Sequence, residues 1–600
     1  MDMRLNWSES SFKYFKYFYK YLGNRIFILS ILSFIVGVLD GFGLALFIPL
    51  IQVAVDRDSN SNPELGDLDF LIDSMGNIGL ELNVTNILIF MTFLFLLKGV
   101  FKFMDSYYKV QLQISFVKKL RFQMLDGLGG IGYQNFVGLD AGRIQNTLSG
   151  EVYKVTGAFI SYFNTLQYVV LLFVYFGLAL FSDWKFALLV SIGGFLSNIF
   201  FKILFKRTET ASILISSKGH QFQSYLIQAV QHFKYLKATS YFKNYREKLV
   251  DQINNIENLQ KRIGFYNSLL NGMREPIILI IVIIVIAVQI NLFGGSIATI
   301  LLSLMFFYRA LNYVISIQSS WQTFISQYGG IVAANEMIEL FGQGADNRMV
   351  PDEKVHSLKS VELKEVYFRF KDGSDILRSI SISIQKNEAI AFVGPSGSGK
   401  TTLVNLIVGL FTPTSGKIVI NGKDREKLDF QSFRSKIGYI TQEPVIFNDT
   451  VYNNVTFWAP KTPENLNRFW EAIRLANLFE FVSQAKEVED LMLGDNGVKA
   501  SGGQKQRISI ARELFKEVEI IVFDEATSAL DSDSEKVIQE NIQSLQGKYT
   551  LILIAHRLST IKNVDKIYLV SNGEIKSSGN FESLMESDVD FKRMVQLQEF

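Results

Sequence analysis

The chain has 600 residues, 48% of them hydrophobic, and a formal net charge of +2. It has no cysteine, which excludes disulfides, thiolate metal sites and cysteine-peptidase chemistry, and its four histidines (His220, His232, His356, His556) are too scattered for a clustered metal centre. Near-neutral charge with no concentrated basic patch in the C-terminal half gives no support for nucleic-acid binding.

Six apolar stretches occupy the first half, at about 26–53, 86–104, 158–181, 186–205, 276–293 and 296–315. Each is near the roughly 20 residues a helix needs to cross a bilayer, and residues 1–342 are therefore predicted to form a polytopic α-helical membrane domain. The first stretch is too long for a cleavable signal peptide and lacks a small-residue cleavage site after it. Basic residues set the orientation. Arg4, Lys13, Lys16, Lys20 and Arg25 precede the first span, and Lys109, Lys118, Lys119, Arg121, Arg143 and Lys154 lie between the second and third. Eleven more run from Lys206 to Arg274, whereas the first-to-second connection holds only Arg57 against seven acidic residues. Both termini are thus expected in the cytoplasm and the acidic loop outside, in a cell's inner (cytoplasmic) membrane. The two basic connections are long and helical in pattern.

Charged residues within spans need a reason, since each costs about 2.5–3.5 kcal/mol at mid-helix on insertion scales. Lys98 in the second span and Arg309 in the sixth lie roughly 20 Å from the outer ends at 1.5 Å per residue. Arg274 opens the fifth span on the cytoplasmic side. Two readings stand at this point. The three cations line a central cavity, or they pair with Asp40, Asp105 or Glu275 and snorkel to lipid phosphates.

Residues 343–355 are polar and read as a linker. The rest, 356–600, is predicted to be an α/β P-loop ATPase domain. Gly394 to Thr401 read GPSGSGKT after an apolar run ending at Val393, and Thr402 to Leu410 read as a helix. Such a loop wraps a polyphosphate with backbone N–H groups from Gly394, Ser396, Gly397, Gly399 and Thr402. Lys400 then reaches the outer phosphates and the Thr401 hydroxyl holds Mg²⁺. Ile520 to Phe523 form a buried-strand pattern ending in Asp524 and Glu525. Asp524 is placed to hold Mg²⁺ and Glu525 to orient and deprotonate the attacking water.

These strings, with Gln442 in YITQEP, Ala500 to Gln504 reading ASGGQ, Ser528 to Asp531 reading SALD and His556 in AHRLST, occur in the order found in the ATP-binding cassette family, which the chain resembles. The resemblance implies that two cassettes close head to tail around two ATP molecules, each held between Lys400 of one copy and Ser501, Gly502, Gly503 and Gln504 of the other. It implies contacts to nucleotide or its Mg²⁺ for Gln442, Asp531 and His556, and adenine stacking for Phe370. Three positions depart from the usual pattern: Ala500 for leucine, Phe370 for tyrosine, and Asp495 for the glutamate that contacts the membrane half. Six spans and one cassette make a half-transporter, so a homodimer is expected. The membrane half is similar to bacterial flippases of lipid-linked oligosaccharides in the contexts LKGVFKF, GMREP and FYRAL around Lys98, Arg274 and Arg309. It also shares with them a short apolar helix, here over 68–82 in the outer loop. That likeness implies an amphipathic anionic substrate, a lipid or lipid-linked saccharide, drawn from the membrane. One departure is that Lys98 is a point charge where an arginine fork is usual. The rival expectation is a multidrug or peptide exporter of the same architecture. The string Gly142 to Glu151 resembles the first of the family's cytoplasmic docking segments, and 217–228 the second.

Overall fold

The computed structural model describes residues 12–597 except 48, 51–52, 54–82, 183, 289–296, 346–352, 371–372, 484–488, 526–531 and 556–557. The predicted outer-loop helix, most of the linker, the SALD turn with Asp531, and His556 fall outside the described residues, as does the Arg274 side chain. The chain divides into two units, one of residues 1–131 with 138–345 and one of residues 132–137 with 346–600.

The first unit is helical. An amphipathic helix α1 (Phe12–Leu22) leads into α2 (Arg25–Ala45), α3 (Val84–Gly130), α5 (Ala141–Asn146), α6 (Val152–Ser182), α7 (Trp184–Gln231), α8 (Phe242–Val288) and α9 (Ile297–Gln343). The short α4 (Tyr133–Phe136) belongs to the second unit. Among the described residues three helical stretches are long and apolar enough to cross a membrane, 25–45, 84–130 and 141–180. Helix α3 has 47 residues, roughly 70 Å at 1.5 Å per residue, more than twice a hydrocarbon core. Its N-terminus is capped by the Asn83 side chain, which accepts from the Asn86 N–H. Leu88, Ile89, Phe93, Leu96 and Phe103 are exposed along it, an apolar face suited to lipid rather than water. Further along, buried Phe18, Phe116, Phe159, Phe163 and Phe324 join α1, α3, α6 and α9 into an aromatic core.

Between α5 and α6 the chain makes one π-helical turn, Thr147–Glu151. The buried Glu151 carboxylate there accepts from Lys154 Nζ at 2.8 Å, Ser216 Oγ at 2.9 Å and Asn146 Nδ2 at 3.2 Å. A Cβ on Gly142 would stand 2.4 Å from the Ser224 backbone, so only glycine lets α5 lie this close to α7.

The string 142–151 packs inside the first unit through Gly142, Glu151 and an Asp140 carboxylate that accepts from the Ser224 hydroxyl at 2.9 Å. Segment 132–137 belongs to the second unit. Tyr133 stacks on Phe411 with ring centroids 5.9 Å apart, and the Gln134 carbonyl accepts from the Thr412 N–H at 3.3 Å.

The second unit holds two sheets. The larger has the order β10-β9-β3-β8-β7-β6, formed by β3 (Ala389–Val393), β6 (Ile437–Ile440), β7 (Ile520–Asp524), β8 (Thr550–Ile554), β9 (Lys566–Ser571) and β10 (Glu574–Gly579). Strands β6, β7, β8, β3 and β9 run parallel, and only β10 is antiparallel. Strands β3 and β8 are buried at every residue, as continuous apolar runs in a doubly covered sheet should be. The smaller sheet, β2-β1-β4-β5, is antiparallel, with β1 at Ser360–Phe368, β2 at Leu377–Gln385, β4 at Ser415–Ile420 and β5 at Lys423–Asp424. Side chains from both sheets close a core around helix α10 (Lys400–Ile407). The parallel sheet places the ends of β3 and β7 on one edge, where ligands of such sheets bind.

Candidate nucleotide and membrane sites

The turn after β3 is built by glycine. Gly394 has φ 144°, and a Cβ there would lie 2.0 Å from the Val570 carbonyl oxygen. Gly397 has φ 79° with open space where a side chain would stand, and Gly399 caps α10 in the left-handed conformation. Lys400 is 5% exposed and its ammonium donates to the Gly394 and Pro395 carbonyls, both at 2.9 Å. Burial pulls that ammonium below its ordinary pKa, while the charges of Glu525 and Asp524 pull it back. Ser398 Oγ is buried with no hydrogen-bond partner among the described residues. Ser396 and Thr401 are exposed and Thr402 is half-buried. An exposed glycine turn, a buried ammonium and an orphaned hydroxyl ahead of a helix N-terminus fit a polyphosphate.

At the end of β7, the Asp524 Oδ2 atom accepts from the Tyr439 hydroxyl at 2.9 Å. Burial raises the Asp524 pKa. The Tyr439 bond opposes that shift, Glu525 adds to it and Lys400 opposes it. The Tyr439 phenol is itself pushed well above its ordinary value, first by burial and then by the Asp524 charge, so it stays a proton donor. Glu525 sits in the left-handed region at φ 50°, a strained place for a residue with a side chain, and its N–H is tied to the Ile554 carbonyl at 3.0 Å. Its Oε2 accepts from Gln442 Nε2 at 2.9 Å.

Thr401, Asp524 and Gln442 offer only oxygen ligands, the chemistry a hard cation selects. The described residues include no cluster of three or more His, Cys, Asp or Glu.

Ser501 caps the helix α11 (Gly502–Phe515) through a capping box. Its Oγ accepts from the Gln504 N–H at 3.3 Å, and the Gln504 side chain accepts from the Ser501 N–H at 2.8 Å. Ser501 and Gly502 are exposed, whereas Gly503 is buried. The helix is pinned by Arg512, whose guanidinium donates to Asn454 O at 2.6 Å and Val445 O at 2.7 Å and lies near the Phe447 and Phe457 rings. Asp495 accepts from Asn448 Nδ2 at 2.5 Å.

Phe370 is 37% exposed and packs edge-on against Phe368 and Phe411 at 5.1 and 5.6 Å. The aromatic group leaves Phe370 a free face. Phe370→Ala is expected to weaken ATP binding about fivefold, the lower end of base–aromatic stacking. Equilibrium titration with ATP checks it, and an unchanged affinity removes Phe370 from the base site.

In the first unit Lys98 and Arg309, two of the three sequence-predicted cations, have different surroundings. Lys98 donates to Asp40 Oδ1 at 2.5 Å, and the Tyr175 hydroxyl donates to Asp40 Oδ2 at the same distance. The pairing reading stated above therefore describes Lys98. Arg309 is exposed and has no ion pair among the described residues. One turn further along α9, Tyr313 stacks on Tyr175 at 5.4 Å. A second polar group surrounds Asp105, which is fully buried and accepts from Ser33 Oγ and Gln167 Nε2, both at 2.8 Å. Sequence reading missed Tyr439, Tyr175 and the Tyr133 contact. Finding Tyr439 needed the register, because β6 pairs with β7 in parallel with Tyr439 opposite Val522. Alternation then puts Tyr439, Val522 and Asp524 on one face.

Residues 26–316 match the ABC transporter transmembrane region, and residues 377–528 match the ABC transporter family. The chain is 30% identical over 495 residues to the heterocyst differentiation ATP-binding protein HepA of Nostoc sp., across 82% of this chain and 80% of that one. The chain is an ABC transporter. It is a multi-pass membrane protein whose ATP-binding domain is an ATPase coupled to transport. The ABC transporter is also 29% identical over 523 residues to an ATP-dependent lipid A-core flippase of Francisella tularensis, across 83% of each chain. Its fold is that of a bacterial Atm1-family ABC exporter solved with ATP bound, with a TM-score of 0.78 at 20% identity over 96% of this chain and all of that one.

Proposed function

We propose that two copies of this transporter form a homodimer in a cell's inner membrane, with both termini cytoplasmic, and move an amphipathic, anionic lipid or lipid-linked saccharide to the outer leaflet. Two ATP molecules with Mg²⁺ lie between the copies, each held by the Gly394–Thr402 loop of one and Ser501 to Gln504 of the other. Ser501 and Gly502 stand exposed at the start of their helix, which supports completion of each site by a second copy. Asp524, Thr401 and Gln442 hold the cation through oxygen. Glu525 takes the proton of the attacking water, and His556 and Asp531 complete the γ-phosphate contacts. ATP favours the closed dimer by its differential affinity, and hydrolysis restores the open one. Docking segments 142–151 and 217–228 transmit the change to the membrane half.

The observation that carries the substrate reading is Arg309, an exposed guanidinium in an apolar helix without an ion-pair partner among the described residues. An intramembrane cation of this kind attracts an anionic headgroup while the lipid tail stays in the bilayer. The flippase relatives support the same class of substrate. Lys98, held by Asp40, serves the site by maintaining its wall, and Arg274 adds positive charge at the cytoplasmic mouth.

Arg309→Ala is expected to abolish several-fold stimulation of ATPase by anionic lipids in nanodiscs and to spare basal turnover. Stimulation that survives the substitution contradicts the cavity cation. Stimulation by hydrophobic cations instead of anionic lipids identifies a multidrug exporter.

A further inference from the structure

We propose that Tyr439 is a positioning residue for Asp524, its hydroxyl engaging one carboxylate oxygen so that the other is presented to the cation. The inference rests on the reading of Asp524 as the carboxylate that holds Mg²⁺. A carboxylate has two equivalent oxygens and rotates freely about its last bond. The Tyr439 hydroxyl removes that freedom by donating to Oδ2 at 2.9 Å. Oδ1 accepts no hydrogen bond among the described residues, so it is the atom left for a ligand.

The ring that carries the hydroxyl cannot wander. Tyr439 lies in β6, whose residues Ile437 to Ile440 pair one for one with Ile520 to Phe523 of β7. Its ring is half-buried against the apolar core that contains Val522 and Phe392. Just past the strand's end come Thr441 and Gln442, whose side-chain amide donates to Glu525 at 2.9 Å. One short stretch of backbone therefore orients both acidic residues, Tyr439 the cation-holding one and Gln442 the base. The two bonds fall on adjacent carboxylates that would otherwise repel each other, and each donor is neutral, so neither adds a charge to compete with the cation.

Outer-shell hydrogen bonds to a ligating carboxylate matter for metal affinity, and their loss typically costs 10–100-fold. Tyr439→Phe deletes the hydroxyl and keeps the ring. The full-length transporter in nanodiscs, in a Glu525→Gln background that prevents turnover, is titrated with Mg²⁺ while binding of a fluorescent ATP analogue is followed from an EDTA baseline. Tyr439→Phe is expected to leave nucleotide affinity in EDTA unchanged and to raise the half-saturating Mg²⁺ concentration about tenfold. An Mg²⁺ midpoint equal to that of the parent overturns the proposal. So does a fall in affinity already present in EDTA, which makes the hydroxyl a support of the whole pocket. Asp524→Asn separates the two levels of the argument. If it also leaves the Mg²⁺ response intact, Asp524 is not the cation's carboxylate. If it removes the response while Tyr439→Phe does not, only the role of Tyr439 fails.

Discussion

Glu525→Gln is expected to stop ATP turnover and leave ATP bound. General-base catalysis contributes about 10²–10⁴-fold, so hydrolysis should fall by at least two orders of magnitude. Glutamine is close to isosteric, and its amide oxygen can still accept from Gln442 Nε2 as Glu525 Oε2 does at 2.9 Å. The backbone strain at φ 50° is no worse for glutamine than for glutamate, and the N–H bond to the Ile554 carbonyl does not involve the side chain. Binding geometry is therefore kept while the proton acceptor is lost. Phosphate release and nucleotide retained after gel filtration measure the two halves of the expectation. Near-normal hydrolysis in the variant would refute the role of Glu525 as base.

Asp40→Ala is expected to cost about 3 kcal/mol of stability, the lower range for breaking one side of a buried ion pair. Asp40 is 4% exposed and accepts from both Lys98 and Tyr175. Its removal leaves an ammonium and a phenol hydroxyl without acceptors in an apolar helix bundle. Lys98→Met leaves the converse, a buried carboxylate with only Tyr175. Removing both charges together, with Asp40→Asn and Lys98→Met, is expected to recover most of the loss, because paired charges are replaced by groups of similar volume. Thermal unfolding of the purified variants measures the cycle. Single variants as stable as the parent contradict a structural role for the pair and return Lys98 to the cavity.

The parts legible from residue order were those set by local chemistry. A glycine-rich turn followed by Lys400 needs little context, because backbone N–H groups do the work and only glycine tolerates φ 144° with a carbonyl 2.0 Å from its absent Cβ. Apolar stretches mark spans for the same reason, since length and hydropathy are local quantities. Tertiary pairings were legible only as alternatives: Asp40 stood among three candidate partners for the span cations, and Tyr175 was not named. Asp40, Lys98 and Tyr175 lie on three different helices, and nothing within any one of them selects the partner. The stacking of Tyr133 on Phe411 was likewise not legible, because the two rings lie far apart in the sequence. Gly142 and Glu151 serve packing inside the helical unit, which their sequence context did not announce. Tyr439 was hidden by its place in an apolar strand, where a phenol reads as core until the register with β7 is known.

Nucleotide retention by a hybrid dimer tests the central claim most directly. One chain carries Lys400→Ala and the other Ser501→Arg, both in the Glu525→Gln background, and dimers containing one of each are isolated by two tags. If every ATP lies between Lys400 of one copy and Ser501 of its partner, the hybrid has one intact site and retains one ATP, while either doubly substituted homodimer retains none. A hybrid that retains no nucleotide, or homodimers that retain as much as the hybrid, would contradict a transporter driven by ATP clamped between two copies.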